Sequence, residues 1–441
     1  MTTMTIDANH GTTPRAGELD PEFNGGNLLE LRGVSANNVA IGPNNNIYIA
    51  GATKKILEEG DSGFDLDYCI SVFTPDGTPG SFYNNSNIIQ GAYASNFPSE
   101  AFRIFVSPDG KILTLGAVLI DRDSNKMQFG LSRHLPNGEL DSSFGHKGHS
   151  VLSFKFDQLQ LELANSITTS KDGTPTYLQP TLDEISLCVH DSRIYVAGRA
   201  IRPNSTLGLT LLMCLDESGN LAMDFGDGGA VVIESPAKIE TVLAKVLVTN
   251  ERLYLAGSLD GVPAWARLHL DGRLDTSFGS GGFLLGSVGP GVIYATAIHG
   301  NSKLLGAGYN VPDGPPGGML TSIDKDGAKD TDFNNGEPIL QPIEPDFRWR
   351  DCAIDQRGHI VACGETVHIL DTGTKLVFGR YLPNGTLDLS FGNGGLSHFH
   401  KKWLLTNPAI AIQTDNAIVV VAISFADLNS PPVHIVFRLK G

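Results

Sequence analysis

The sequence predicts an all-β fold: a seven-bladed β-propeller with four antiparallel strands per blade and a closing blade shared between N- and C-terminal segments. Three observations predict it. One turn phrase recurs seven times at a period near 60 residues, and a short apolar strand ending in small residues recurs seven times between its copies. The chain also ends on part of a repeat whose missing part stands near its start. An internal period of this kind outweighs the length of 441 residues, which would otherwise suggest two or three domains.

The turn phrase is a Gly-containing turn, Leu-Asp, two residues, Phe, then a Gly/Asn cluster. Its copies are GELDPEFNGG (17–26), PDGTPGSFYNN (75–85), NGELDSSFGHKG (137–148), SGNLAMDFGDGG (218–229), DGRLDTSFGSGG (271–282), DGAKDTDFNNG (326–336) and NGTLDLSFGNGG (384–395). Their phenylalanines, Phe23, Phe82, Phe144, Phe225, Phe278, Phe333 and Phe391, lie 59, 62, 81, 53, 55 and 58 residues apart. A large apolar ring at a fixed turn is expected to plug between neighbouring blades. Asp stands three residues before the Phe in five copies, Asp20, Asp141, Asp275, Asp330 and Asp388. Its carboxylate is expected to accept backbone N–H groups of the turn that follows. Gly or Asn follows the Phe in six copies, where positive φ costs little.

The second phrase is IYIAGAT at 47–53, ILTLGAV at 112–118, IYVAGRA at 194–200 and LYLAGSL at 253–259, continued by LLGAGYN, IVACGET and IVVVAIS. A third apolar phrase runs into each turn, as in GLSRHLPNG and WARLHLDG, and a fourth precedes each Ala-Gly strand, as in AFRIFVSPD at 101–109. Four short strands per period, with tight turns and no sustained helical pattern, is the grammar of a propeller blade. The chain ends in HIVFRLKG with no turn phrase after it, and GELDPEFNGG supplies that phrase after a polar lead of about sixteen residues. One blade is therefore expected to take three strands from about 408–439 and its outermost strand from about 27–33. The domain reading is a flexible lead over 1–16 and a single propeller over 17–441.

On these phrases the chain resembles the bacterial delta-60 repeat family of β-propeller-like domains. The resemblance covers about residues 17 to 441 and implies the fold, but it brings no catalytic residue onto this sequence. The copy at 75–85 departs furthest, with Thr78, Pro79 and Gly80 in place of the Leu-Asp portion, and Ala222 replaces the Asp in the fourth copy.

A charge of −16, from 32 basic and 48 acidic residues, disfavours nucleic acid and anionic membranes as partners. No apolar run is long enough to cross a membrane, and the N-terminus lacks the basic start and apolar core of a secretory signal. The expected location is the cytoplasm, or outside the cell by a route without a cleavable signal. Five cysteines without tight spacing, Cys69, Cys188, Cys214, Cys352 and Cys363, read as free thiols. No cofactor is expected.

Candidate chemistry lies where the repeats differ. An excess of about twenty residues at 155–185 reads as a protruding loop, with smaller candidates at 83–100, 308–318 and 344–351. Within the last, Trp349 flanked by Arg348 and Arg350 is a candidate stacking surface for a ligand, and Trp265 a lesser one. Asp324, Asp326 and Asp330 resemble a calcium loop without its closing Glu, an alternative to their role in the turn. His398 and His400 alternate on a strand with no third metal ligand in view. The functional expectation is a non-catalytic binding or interaction module that recognises a glycan or a protein through loops on one face. The alternatives are a polysaccharide lyase or hydrolase with a site at the channel mouth, and a structural part of a larger assembly. The sequence does not specify an oligomeric state.

Overall fold

The computed structural model describes residues 14–54, 66–121, 126–152, 160–161, 167–169, 175–177, 184–201, 207–311, 317–343, 346–366, 374–400, 405–425 and 432–441. Seven four-stranded antiparallel sheets form the blades of a propeller. We number the blades in chain order. The inner strands of blades 1 to 6 are Asn38–Ile41, Ser99–Val106, Ile185–His190, Thr241–Thr249, Gly291–His299 and Phe347–Ile354. Blade 7 has Leu405–Ile412 innermost, then Ile418–Ser424 and Val433–Leu439, and Leu29–Leu31 outermost. Leu31 pairs with His434 and Leu29 with Val436, so the N-terminal segment supplies the outer strand of the last blade.

Each of the three sequence phrases has a physical cause. The seven turn phenylalanines are buried, and each ring lies under the glycine of the next repeat's turn. Phe82 lies under Gly138, where a methyl group would come within 2.5 Å of the ring and where φ is +91°. The same contact joins Phe391 to Gly17, carrying the series across the closure. A glycine is required there twice over, by the close ring and by the left-handed backbone. A backbone bond accompanies the contact: Tyr83 N–H donates to Asn137 O at 2.8 Å, and Gly392 N–H to Ala16 O at 2.7 Å.

The turn aspartates do more than accept the turn's N–H groups. Asp388 Oδ1 accepts from Ser390 N at 3.0 Å, while its Oδ2 receives Arg380 Nε at 2.8 Å. Arg380 stacks on Phe391 at 4.8 Å. The same arrangement joins Arg133 to Asp141 and Phe144, and Arg267 to Asp275 and Phe278. Arg438, near the C-terminus, pairs with Asp20 at 2.6 Å, and Lys440 joins at 2.9 Å. Arg133, Arg267 and Arg438 also reach onward, as Arg267 Nη1 does to Lys325 O at 2.7 Å in the next repeat's turn. Burial pushes the Asp388 carboxyl up, but its bonds to Ser390 and Arg380 outweigh that and hold it below the ordinary range. The arginine stands eight residues before the aspartate, at 133 and 141, 267 and 275, and 380 and 388. Where the aspartate is Ala222, the residue eight before it is Cys214; where it is Gly80, that residue is Val72. Both charges are missing together, so neither repeat buries one of them unpaired.

The Ala-Gly phrase answers a bulge. Five inner strands carry a register shift at the same height, at Ala101/Arg103, Val242/Lys245, Ile293/Ala295, Trp349/Asp351 and Thr406/Ala409. The extra residue bends the inner strand against its neighbour. At Gly116 a methyl group would lie 1.8 Å from Glu100 O, so a side chain there is excluded.

The insertion contributes Gln160–Leu161, paired with the second strand of blade 3, and a separate two-stranded sheet of Ile167–Thr169 and Pro175–Tyr177. The rest of 155–183, the first thirteen residues of the 1–16 lead and residues 312–316 of the 308–318 candidate lie outside the described residues. The 344–351 candidate is not a loop. From Phe347 onward it is the inner strand of blade 6, because its apolar residues pack into the interblade core. The 83–100 candidate likewise holds the outer strand Ile88–Gly91 and the start of the next inner strand. Among the described residues no helix is long and apolar enough to cross a membrane.

Removing residues 17–35 takes away the outer strand of blade 7, the Asp20 pair and the Gly17 contact. The truncated chain is expected to lose cooperative melting or to aggregate; a melting curve superimposable on that of the full chain would exclude the closure. Asp388→Ala leaves Arg380 buried and unpaired and is expected to cost about 3–5 kcal/mol in chemical denaturation. Adding Arg380→Cys, which copies Cys214 and Ala222, should recover most of that loss, and a double variant no better than the single one would exclude the pairing. His434 Nδ1 accepts the Ala36 N–H at 2.9 Å beside the closing strand, and burial lowers its pKa from 6.5 to about 4. The unfolded chain therefore binds a proton near pH 6.5 that the folded chain refuses until about pH 4. Stability from this residue is complete above that window and falls as pH drops through it. Thermal melts of His434→Asn should show a shallower loss between those pH values than the parent.

Candidate functional site in the central channel

The inner strands can be aligned by the residue that pairs across their hairpins: Ile41 with Ile47, Val106 with Ile112, Val189 with Ile194, Val248 with Leu253, Ile298 with Leu304, Ile354 with Ile360 and Ile412 with Ile418. Three residues before the first of each pair stand Asn38, Arg103, Ser186, Lys245, Ala295, Asp351 and Ala409. All seven line one cavity of about 230 Å³ in the central channel. The repeats thus present one position seven times, at the height of the bulge, and fill it with unlike chemistry. The flanking strand positions in the same blades are mostly apolar and packed.

Three of these residues join neighbouring blades. Asn38 Oδ1 accepts the N–H of Ile104 at 3.2 Å, Ser186 Oγ that of Val246 at 2.9 Å, and Asp351 Oδ2 that of Ile410 at 2.9 Å. Each bond runs from one blade to the position after the throat residue in the next. Asp351 Oδ1 also accepts the Cys352 N–H at 2.9 Å. Asp351 is half-buried in the cavity wall, and burial raises its pKa. The bonds from Ile410 and Cys352, and the charges of Arg103 and Lys245, act in the opposite direction. Lys245 is buried, and Arg103 is partly buried. The three charged throat residues come from blades 2, 4 and 6, every second blade around the ring.

Arg350 stands in the bulge next to Asp351. Its Nη2 lies 2.7 Å from Glu365 Oε1, and its guanidinium stacks on Tyr294 of blade 5 at 4.8 Å. Glu365 is buried, and its other oxygen accepts the Asn407 N–H at 2.7 Å. Beside it, Arg348 stacks on Tyr309 at 4.7 Å. Trp349, between the two arginines, points the other way. None of its surface is exposed; it packs edge-on against Phe347 at 4.6 Å and Tyr381 at 6.3 Å, in the core between blades 5 and 6. No face of the indole is open to a ligand, and Trp265 is likewise buried. The structure therefore brings Arg350 to the channel and takes Trp349 into the core.

The aspartates of the calcium-like turn are occupied separately. Asp324 Oδ1 caps the N–H groups of Asp326 and Ala328, Asp326 pairs with Lys325 and Arg267, and buried Asp330 accepts from Ser322 and pairs with Lys303. Among the described residues their ligand atoms do not gather at one point; the group that does is His190, Asp191 and Glu251. His398 is exposed on the outer strand of blade 6, and the side chain of His400 lies outside the described residues. All five cysteines are free.

Arg103, Lys245 and Asp351 escape a reading by motif. The signal that marks them is the alignment of the seven inner strands, in which one column mixes Asn, Arg, Ser, Lys, Ala and Asp.

The family model described as domain of unknown function (DUF5122) beta-propeller matches residues 358–391. No curated protein matches this sequence. Among solved structures, the chain is similar to the β-propeller domain of the Trilobed protease from Pyrococcus furiosus, at 9% identity and a TM-score of 0.45, over 93% of this chain and 95% of that one. It is similar to the polysaccharide lyase Uly1 at 8% identity and a TM-score of 0.45, over 92% and 90% of the two chains. The NanB sialidase from Streptococcus pneumoniae gives 10% identity and a TM-score of 0.42, over 92% and 68%.

Proposed function

We propose that this protein is a non-catalytic binding module that recognises a glycan or a protein on one face of its propeller, with the central channel as the anchoring site. The observation that carries the proposal is the throat column. Seven repeats that agree on their phenylalanine, their glycine turn and their apolar strands differ here, and five of them carry a charged or hydrogen-bonding side chain. Inner strands run from this face toward the tight hairpins on the other. Second strands end and third strands begin at the face where the inner strands start, and the sequence between them varies from two residues after Leu259 in blade 4 to eleven after Lys54 in blade 1. The inner strand of blade 3, which follows the insertion, begins with Ile185 at the same face. Variable connections around a fixed scaffold are where recognition concentrates. The throat carboxylates support anchoring over proton transfer. Asp351 is engaged by two backbone N–H groups, and Glu365 by Arg350 and a third N–H.

Glycan-array and pull-down measurements on the full chain test this reading. Specific binding is expected in one of them and should fall at least about tenfold in the Arg103→Ala, Lys245→Ala double variant, the loss expected when charge-assisted contacts go. Binding unchanged in that variant, or turnover of a polysaccharide by the parent, would count against the proposal.

A further inference from the structure

We infer that the channel site takes a carboxylate-bearing sugar, a uronic acid as a free molecule or as the end residue of a chain; this rests on the channel reading above. Arg103, Lys245 and Arg350 bring three cations to the walls of one small cavity in a chain whose net charge is −16. Two carboxylates, Asp351 and Glu365, stand against them. Glu365 is committed to Arg350 and the Asn407 N–H. Asp351 is a different case, because its bond to the next blade does not need a charge. At the equivalent place in blade 1 the neutral amide of Asn38 accepts the corresponding N–H, and in blade 3 a hydroxyl does. A negative charge on Asp351 is therefore surplus to the fold, and Asp351 shares the cavity wall with Arg103 and Lys245, whose charges favour its ionised form. A ligand carboxylate would compete with it for the same two cations.

The remaining lining suits a sugar more than a bare anion. Ser186 accepts Val246 N–H and keeps its own proton to donate, Asn407 brings an amide, and the Tyr294 ring forms part of the wall beneath Arg350. A cavity of about 230 Å³ suits a single small residue.

Saturation-transfer NMR and calorimetric titration of the full chain with D-glucuronate, D-glucose and inorganic phosphate test the inference. Glucuronate is expected to bind at least about tenfold more tightly than glucose, and Lys245→Met or Arg103→Gln to weaken it by about tenfold each. Asp351→Asn keeps the acceptor for Ile410 across the blades, gives up only the local one for Cys352 and removes the competing charge, so it should tighten glucuronate about threefold or more and leave glucose unchanged. A gain in affinity cannot come from misfolding. Glucose bound as tightly as glucuronate, with the loss still mapping to the throat variants, would overturn the acidic ligand and leave the channel site standing. Phosphate bound as tightly as glucuronate would replace the sugar with a simple anion. Absence of glucuronate binding, or Asp351→Asn weakening it, would overturn the inference, while the array and pull-down judge the binding module independently.

Discussion

A four-stranded blade cannot bury both of its faces alone, and here the contact that commits one blade to the next is a phenylalanine ring lying against a glycine backbone. The rest of the ring follows from that contact. Because the glycine belongs to the next repeat's turn, each Phe fixes the height of the following blade as well as its distance. The Arg–Asp pair is laid over the same ring, so the guanidinium that stacks on the Phe also ties its own turn to the next. Aromatic packing sets the spacing, and the buried ion pair holds the turn in register.

The inner edge of each blade is governed by a second constraint. In five blades a bulge in the inner strand, accommodated in four of them by a glycine in its neighbour, lies at the position that faces the axis. The blades therefore separate two duties. The outer three strands and the turns carry repeated residues that pack, and the throat carries residues that need not repeat. Asn38, Ser186 and Asp351 do both, since each binds the next blade through one acceptor while facing the channel.

The number of blades, their four strands and the shared closure were legible in the sequence because each depends on residues at fixed spacing. Phe, Asp-Gly and Ala-Gly cannot be exchanged for neighbours of similar polarity, so they survive in divergent copies. The arginine partners leave no such mark, because they belong to a different phrase from the aspartates and meet them only across a hairpin. Trp349 was misplaced for a related reason. Between two arginines it has the pattern of an exposed residue, but strand alternation sends Trp349 into the core while Arg348 and Arg350 point elsewhere. The bulge that follows then brings Asp351 to the axis directly after Arg350. A one-residue register shift leaves no mark in composition or polarity, and the channel residues become visible only when strands are aligned through their hairpin partners.

The borrowed outer strand of blade 7 also has a consequence in time. Leu29–Leu31 leaves the ribosome some four hundred residues before its partner Val433–Leu439, an interval of roughly 20–80 s at ordinary elongation rates. For that period the segment is an unpaired edge beside a growing stack of blades. Its composition suits the wait: it is three residues long, with Glu30 exposed at its centre and Arg32 exposed just beyond, and such short, charged edges resist pairing with the wrong chain. The ring is thus completed by one of the earliest strands made and the last, and nascent chains released early would carry a blade that cannot be finished.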